Sequence, residues 1–215
     1  MKKILFVAIV FIAVVMTVSS CGGKTQQVPF DNGDSTDMSA LQDPTIYGIC
    51  GEGSTDSILQ VVTDLGDTVQ LNITYARDNN QVFGGLHAGD RMAVVPNNKK
   101  TEALIVVNQA ALLGNWVMPN PLDGSDEVGF SIKEGGIVEG IEQSSLTYKT
   151  WRLVRGKLEM IAVREGGGEE EEINLYDLVK LNADSLILKD SEDLYEYGRQ
   201  QLKKPDSDIQ LEEAS

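Results

Sequence analysis

The stretch Leu112-Leu113-Gly114-Asn115-Trp116-Val117-Met118 divides the chain into two runs of short alternating strands. It ends the first run and begins the second. Gly114 permits a close approach of the backbone, and Trp116 supplies a large aromatic anchor two residues later. Such a pair is suited to the first strand of a closed β-barrel, because that strand must be fixed to the core.

Residues 111–199 contain eight strand candidates that are joined by short turns rich in Gly, Asp, Glu and Ser. Sequential strands with short turns form a meander, and eight strands close into an up-and-down barrel. The second half of the chain is therefore predicted to be an eight-stranded barrel. The candidates are Leu113–Met118, Val128–Lys133, Gly136–Ile141, Leu146–Val154, Lys157–Arg164, Glu171–Lys180, Ser185–Lys189 and Leu194–Tyr197.

Residues 46–110 contain five further strand candidates and no convincing helical periodicity. Five short antiparallel strands avoid exposed edges by curling into a small barrel, and by strand count this segment resembles an OB-fold barrel. The predicted fold class is therefore all-β, with a small five-stranded barrel followed by the eight-stranded one. The five candidates are Tyr47–Cys50, Ser57–Thr63, Val69–Tyr75, Arg91–Val95 and Ala103–Val107.

The charge of the chain restricts its partners. The formal net charge is -15 over 215 residues, and the hydrophobic fraction of 41% is enough for a buried core. Nucleic-acid OB domains combine basic grooves with stacking aromatics, whereas this chain repels phosphate backbones. We therefore expect no nucleic-acid partner.

The N-terminus carries a targeting signal. A basic start at Lys2 and Lys3 precedes the apolar run 4–18 and the small-residue sequence Val18-Ser19-Ser20-Cys21. This resembles the signal and lipobox of bacterial lipoproteins, and the apolar run is short for a transmembrane helix. The resemblance implies a signal peptide at residues 1–20, acylation of Cys21, and anchoring to a membrane of the cell envelope.

Residues 21–45 are expected to form a flexible tether after the lipidated cysteine, and residues 200–215 a disordered tail. We expect the protein at the outer membrane. The sequence leaves open whether it occupies the periplasmic or the outer face.

The barrel segment carries a set of more specific motifs: Gly114-x-Trp116, Phe130, Gly135-Gly136, Trp151, Tyr176 with Leu178, and Tyr197-x-Arg199. Together these motifs resemble the lipocalin-like domains of bacterial lipoproteins. The resemblance implies that Trp116 packs across the closed end of the barrel beneath Arg199, and the alternative is a core tryptophan with a solvated arginine.

A ligand site in such a barrel is expected at its open mouth, where Tyr148, Trp151 and Tyr176 are the candidate lining residues. Each of them is alternatively a wall or core residue. Strands of five to nine residues favour a largely filled interior, because short strands enclose little volume.

The residue inventory argues against catalysis, so no cofactor or metal is expected. With Cys21 lipidated, Cys50 has no partner for a disulfide, and we expect it to be a small buried residue. The chain has one histidine, His87, whereas a typical metal hydrolase uses several histidine ligands. No nucleophile elbow lies near His87 in the sequence, so a serine triad is not indicated. The acidic run at 165–172 is interpreted as a solvated hairpin tip, and the alternative is a site for a divalent cation.

Two hypotheses from different classes follow. The first is a lipid-anchored, non-catalytic protein that binds a small hydrophobic or amphipathic molecule through the lipocalin-like barrel. The alternative is a structural or interaction protein of the cell envelope that docks another protein and has filled barrels. A cavity above about 300 Å³ with apolar walls favours the first, and an exposed apolar patch the second.

Overall fold

The computed structural model describes residues 43–120, 124, 126–142, 146–164, 166 and 170–201. The predictions for the signal peptide, for Cys21, for most of the tether and for residues 202–215 lie outside these ranges. Among the described residues, no helix is long and apolar enough to cross a membrane.

The first half of the described chain is a six-stranded sheet with two short helices. All neighbouring strands in it are antiparallel except β4 and β6, which are parallel. The elements are β1 (Ile46–Cys50), β2 (Ile58–Thr63), β3 (Thr68–Asn72), α1 (Thr74–Asp78), β4 (Val82–Phe83), β5 (Arg91–Pro96), β6 (Ala103–Asn108) and α2 (Gln109–Leu112).

The order of the strands is β3-β2-β1-β5-β6-β4, and the sheet curls until β3 approaches the start of β6. One parallel bridge, Asn72 to Glu102, joins the two, and the Asn72 amide donates to the Thr101 carbonyl at 3.0 Å. The prediction of a closed five-stranded barrel was therefore wrong in two respects. The sheet has a sixth strand, and it is a partly open, mixed sheet.

The expectation of continued strand through Tyr75 was also wrong. The Asn72 side chain accepts a hydrogen bond from the Thr74 amide at 2.9 Å, and this turn diverts the chain into α1. Ile73 and Ala76 are both fully buried, a spacing of three that suits a helix, while Tyr75 is 53% exposed. In so short a segment, the alternation of apolar residues does not distinguish the period of a strand from the period of a helix.

The second half is a closed antiparallel barrel of eight strands, as predicted, and three strands have the predicted bounds. A 3-10 turn at Glu134–Gly136 lies between the second and third strands. The strands are β7 (Gly114–Pro119), β8 (Glu127–Lys133), β9 (Ile137–Ile141), β10 (Leu146–Val154), β11 (Lys157–Arg164), β12 (Glu171–Leu181), β13 (Ser185–Lys189) and β14 (Leu194–Arg199).

The sheet and the barrel share one hydrophobic core. Phe83, Ala93 and Val107 of the sheet cluster with Trp116 and the other buried side chains of the barrel. The Gly84 amide donates to the Leu181 carbonyl at 3.0 Å across this boundary. A second core fills the concave side of the sheet, and Cys50 lies in it at 2% exposure, as expected of a small buried residue.

The described ends of the tether and tail contact the folded part. The Asp43 carboxylate accepts from the Arg155 amide at 3.4 Å. Gln200, which the sequence assigned to the tail, donates through its backbone amide to the backbone carbonyl of Asn115 at 3.0 Å.

Candidate functional site

Trp116 and Arg199 lie together at one end of the barrel. Trp116 is fully buried, and its indole N–H donates to the Leu112 carbonyl at 2.7 Å. The guanidinium carbon of Arg199 lies 4.1 Å from the centroid of the Trp116 ring, within cation–π distance. The same guanidinium donates to the carbonyls of Ala111 at 2.9 Å and Leu113 at 2.7 Å, and so joins α2 to the barrel.

Gly114 is required by this arrangement. Its φ of +124° is rarely adopted by other residues. A Cβ at this position would lie 2.3 Å from Nη1 of Arg199, which is too close for any non-bonded pair. The Gly-x-Trp motif thus makes space for the arginine and places the indole beneath it. We call this the closed end of the barrel.

A cavity of about 660 Å³ opens between the closed end and the sheet. The sheet side contributes Tyr47, the segment 89–91 and Gln109, and the barrel side contributes Leu113, the turn Glu134–Gly136 and the segment 151–153. Its volume lies in the range of small-molecule sites. The wall of this cavity therefore combines apolar and aromatic side chains with polar groups.

Two hydrogen bonds fix the aromatic walls. The Tyr47 hydroxyl donates to the Leu153 carbonyl at 2.6 Å, a bond between the sheet and the barrel. Burial, aided by the nearby Asp43 carboxylate, raises the pKa of Tyr47 to about 12. The Trp151 indole donates to the Lys133 carbonyl at 2.8 Å and holds the strand end that leads into the Glu134–Gly136 turn.

The cations at the cavity are paired with carboxylates. Arg91 makes a bidentate contact with Asp64 at 2.6 and 3.1 Å. Arg152 donates to Glu159 at 2.5 Å, and this bond raises the pKa of the Arg152 guanidinium. Since both guanidiniums are neutralised by acids of this chain, the cavity is not built primarily to attract an anion.

Gln109 presents a polar group with unused bonding capacity. It begins α2, whose N-cap Asn108 accepts from the Ala111 amide at 3.2 Å. The Gln109 amide nitrogen Nε2 is buried and has no hydrogen-bond partner in the described structure, and the residue lines the cavity. Buried donors without partners are rare, because desolvation is then uncompensated. An acceptor on a bound molecule would satisfy it.

Of the three candidate mouth residues, Tyr148 and Tyr176 lie close enough to interact electrostatically. Trp151 lies apart from them and lines the cavity at the closed end, where its indole donates to the Lys133 carbonyl. Tyr148 lies edge-on to Phe130, with ring centroids 5.8 Å apart. Tyr176 is edge-on to Tyr195 at 5.9 Å. Burial raises the pKa of Tyr176, which fits a wall residue.

The groups considered for catalysis are arranged as follows. Nδ1 of His87 lies 3.2 Å from the Asp90 carboxylate, which also accepts from Asn108 at 2.6 Å. The Cys50 thiol lies in the core of the sheet, 3.4 Å from the Ser54 hydroxyl. In the part of the chain that is described, no three His, Cys, Asp or Glu side chains are placed to hold a metal ion.

Comparisons with known proteins agree with the architecture of the second half. Residues 108–200 match the model of a lipocalin-like family, so this part of the chain is a lipocalin-like domain. The crystal structure of a lipocalin-like protein from Bacteroides thetaiotaomicron is 28% identical, covering 42% of this chain and 97% of that one, with a TM-score of 0.38. The search of curated proteins gave no match.

Sequence reasoning missed the sheet side of the cavity. Tyr47 and Gln109 belong to the first segment, which was treated as a separate barrel. Asn108 after an apolar run is a helix N-cap signal that indicates where α2 begins. The pairing of Tyr47 with Leu153, 106 residues apart, has no local signal.

Proposed function

We propose that this protein binds a small, uncharged or weakly charged amphipathic molecule in the cavity between the sheet and the closed end of the barrel, and that it is not an enzyme. The observation that carries the proposal is the cavity of about 660 Å³ with the unpaired Gln109 amide in its wall. The molecule has an apolar body that packs on Tyr47 and Trp151 and an oxygen acceptor that meets the amide.

Binding is tested with the neutral fluorescent dye N-phenyl-1-naphthylamine. Ala110 is exposed and lines the cavity, so Ala110→Trp fills the space without replacing a core side chain. We expect the variant to weaken dye binding at least tenfold. Ala183→Trp, at an exposed turn outside the cavity, is the matched control and keeps the affinity of the unmodified protein. Equal affinity of the two variants would place the dye elsewhere and refute the proposed site.

We further propose that the protein is attached to a membrane of the cell envelope through acyl chains on Cys21. The lipobox Val18-Ser19-Ser20-Cys21 supports this. We expect Cys21→Ala to move the protein from the membrane fraction to the soluble fraction. The control is Cys50→Ala, since Cys50 is a buried core residue, and it stays with the membrane. Membrane retention of the Cys21 variant would contradict the proposal.

A further inference from the structure

The long strand β12 has a free backbone edge. It has eleven residues, and its pairing with β13 begins only at Asp177, opposite Lys189, the last residue of β13. On the other side, residues 171–176 pair with β11 throughout. Among the described residues no strand pairs with their second edge. About 20 Å of strand edge therefore has open hydrogen-bonding positions, at roughly 3.3 Å per residue.

This edge is neither short nor covered by another strand of the described chain. Ile173 and Leu175 point outward from the barrel and are 50% and 45% exposed. An open apolar edge of this length is a template for pairing with another chain, and proteins normally shorten, cover or charge it. The edge is thus available for an added strand.

A cavity of about 390 Å³ runs along the same edge, from residue 173 to the turn at Asp190 and Ser191. Asn174 lines it, and the Asn174 amide nitrogen Nδ2 is buried without a hydrogen-bond partner in the described structure. An unpaired buried donor beside an unpaired strand edge is a second, independent sign of a missing partner.

Charge indicates the kind of partner. Glu170 and Glu171 stand at the start of this edge, and Asp190 lines the same cavity. The Asp190 carboxylate accepts from the Tyr195 hydroxyl at 2.9 Å. Glu172 and Asp177 are already paired, with Arg164 and Lys157. The chain carries a formal net charge of -15, so a second copy is disfavoured by repulsion, and a cationic segment is favoured.

We propose that the edge of β12 at residues 171–176 binds an extended, cationic segment of a partner protein as an added strand. Backbone hydrogen bonds supply the pairing, Ile173 and Leu175 contact alternate apolar side chains, and the acids contact Lys or Arg. The site is separate from the cavity at the closed end, and neither proposal depends on the other.

The probe is an acetylated and amidated octapeptide of alternating Val and Lys. We expect it to bind the full folded protein and to slow amide hydrogen exchange at residues 171–176. Two control peptides separate the contributions. N-methylation of alternate amides removes backbone pairing and keeps the charge, and replacing Lys with Glu reverses the charge. Each control should bind at least tenfold more weakly.

The matching change in the protein is the double variant Ile173→Ser and Leu175→Ser. We expect it to weaken binding of the Val-Lys peptide at least tenfold. The control is Val62→Ser with Ile137→Ser, since these side chains are 42% and 47% exposed on other strands. Binding that survives N-methylation, charge reversal or the double variant would overturn the proposal. So would a dimer in sedimentation equilibrium that the double variant abolishes, because the occupant would then be a second copy.

Discussion

The two ends of the barrel are built differently. At the closed end, Trp116 is fully buried, Arg199 binds backbone carbonyls, and the six-stranded sheet packs against the barrel. The pairs that join β14 to β7 are Gly198 with Val117 and Arg199 with Trp116, at this same end. Towards the other end, β12 extends beyond β13, and no described strand pairs with residues 171–176 on that side. The barrel is thus held together mainly from the closed end.

The largest expected difference between the ends is in stability. Trp116→Ala removes a fully buried indole and should lower the free energy of unfolding by about 3 to 5 kcal/mol. The control at the other end is Leu194→Ala, whose side chain is 52% exposed and should change it by less than about 0.5 kcal/mol. Urea unfolding measures both. Similar losses for the two variants would show that the closed end does not hold the barrel.

A smaller loss of stability is expected when the glycine of the Gly-x-Trp motif is replaced. Gly114→Ala adds a Cβ that would lie 2.3 Å from Nη1 of Arg199, at a φ of +124°. We expect a loss of about 2 to 3 kcal/mol in the free energy of unfolding. Gly66→Ala isolates the backbone contribution, since Gly66 has a φ of +91° and open space around it. It should cost about 1 kcal/mol. Equal losses of unfolding free energy for Gly114→Ala and Gly66→Ala would mean that the Arg199 side chain moves away from the added Cβ without cost.

A further expected effect is on the pH dependence of stability. Tyr47 has a pKa of about 12 in the folded protein and an ordinary value of 10.0. The folded state therefore holds the phenolic proton more tightly, so its stabilising contribution is complete below pH 10 and is lost as the pH rises to 12. Tyr47→Phe should flatten the fall in unfolding free energy between pH 10 and 12. An unchanged slope would contradict the burial of Tyr47 against Leu153.

The barrel was more predictable from sequence than the site. Eight strands with short turns leave few topologies, so the bounds of β10, β11 and β13 followed from alternation and turn residues alone. The pairing of Trp116 with Arg199 came from the resemblance of the motif. In contrast, the cavity depends on contacts between residues far apart in the chain, such as Tyr47 with Leu153. Local patterns carry no information about such contacts.

The position of Trp151 shows the same limit. Strict alternation from Tyr148 would place Trp151 on the outer face, but the bulge between Tyr148 and Thr150 turns both side chains towards the barrel core. Trp151 lines the cavity at the closed end, whereas Tyr148 lies against Phe130. The residues of this segment carry no clear signature of the bulge.

Native mass spectrometry of the protein purified from its own host shows whether the cavity at the closed end holds a small molecule. We expect the added mass of a small molecule on the unmodified protein and on Ala183→Trp, and no such mass on Ala110→Trp. The same added mass on Ala110→Trp, or a bare chain in all three preparations, would overturn the proposal.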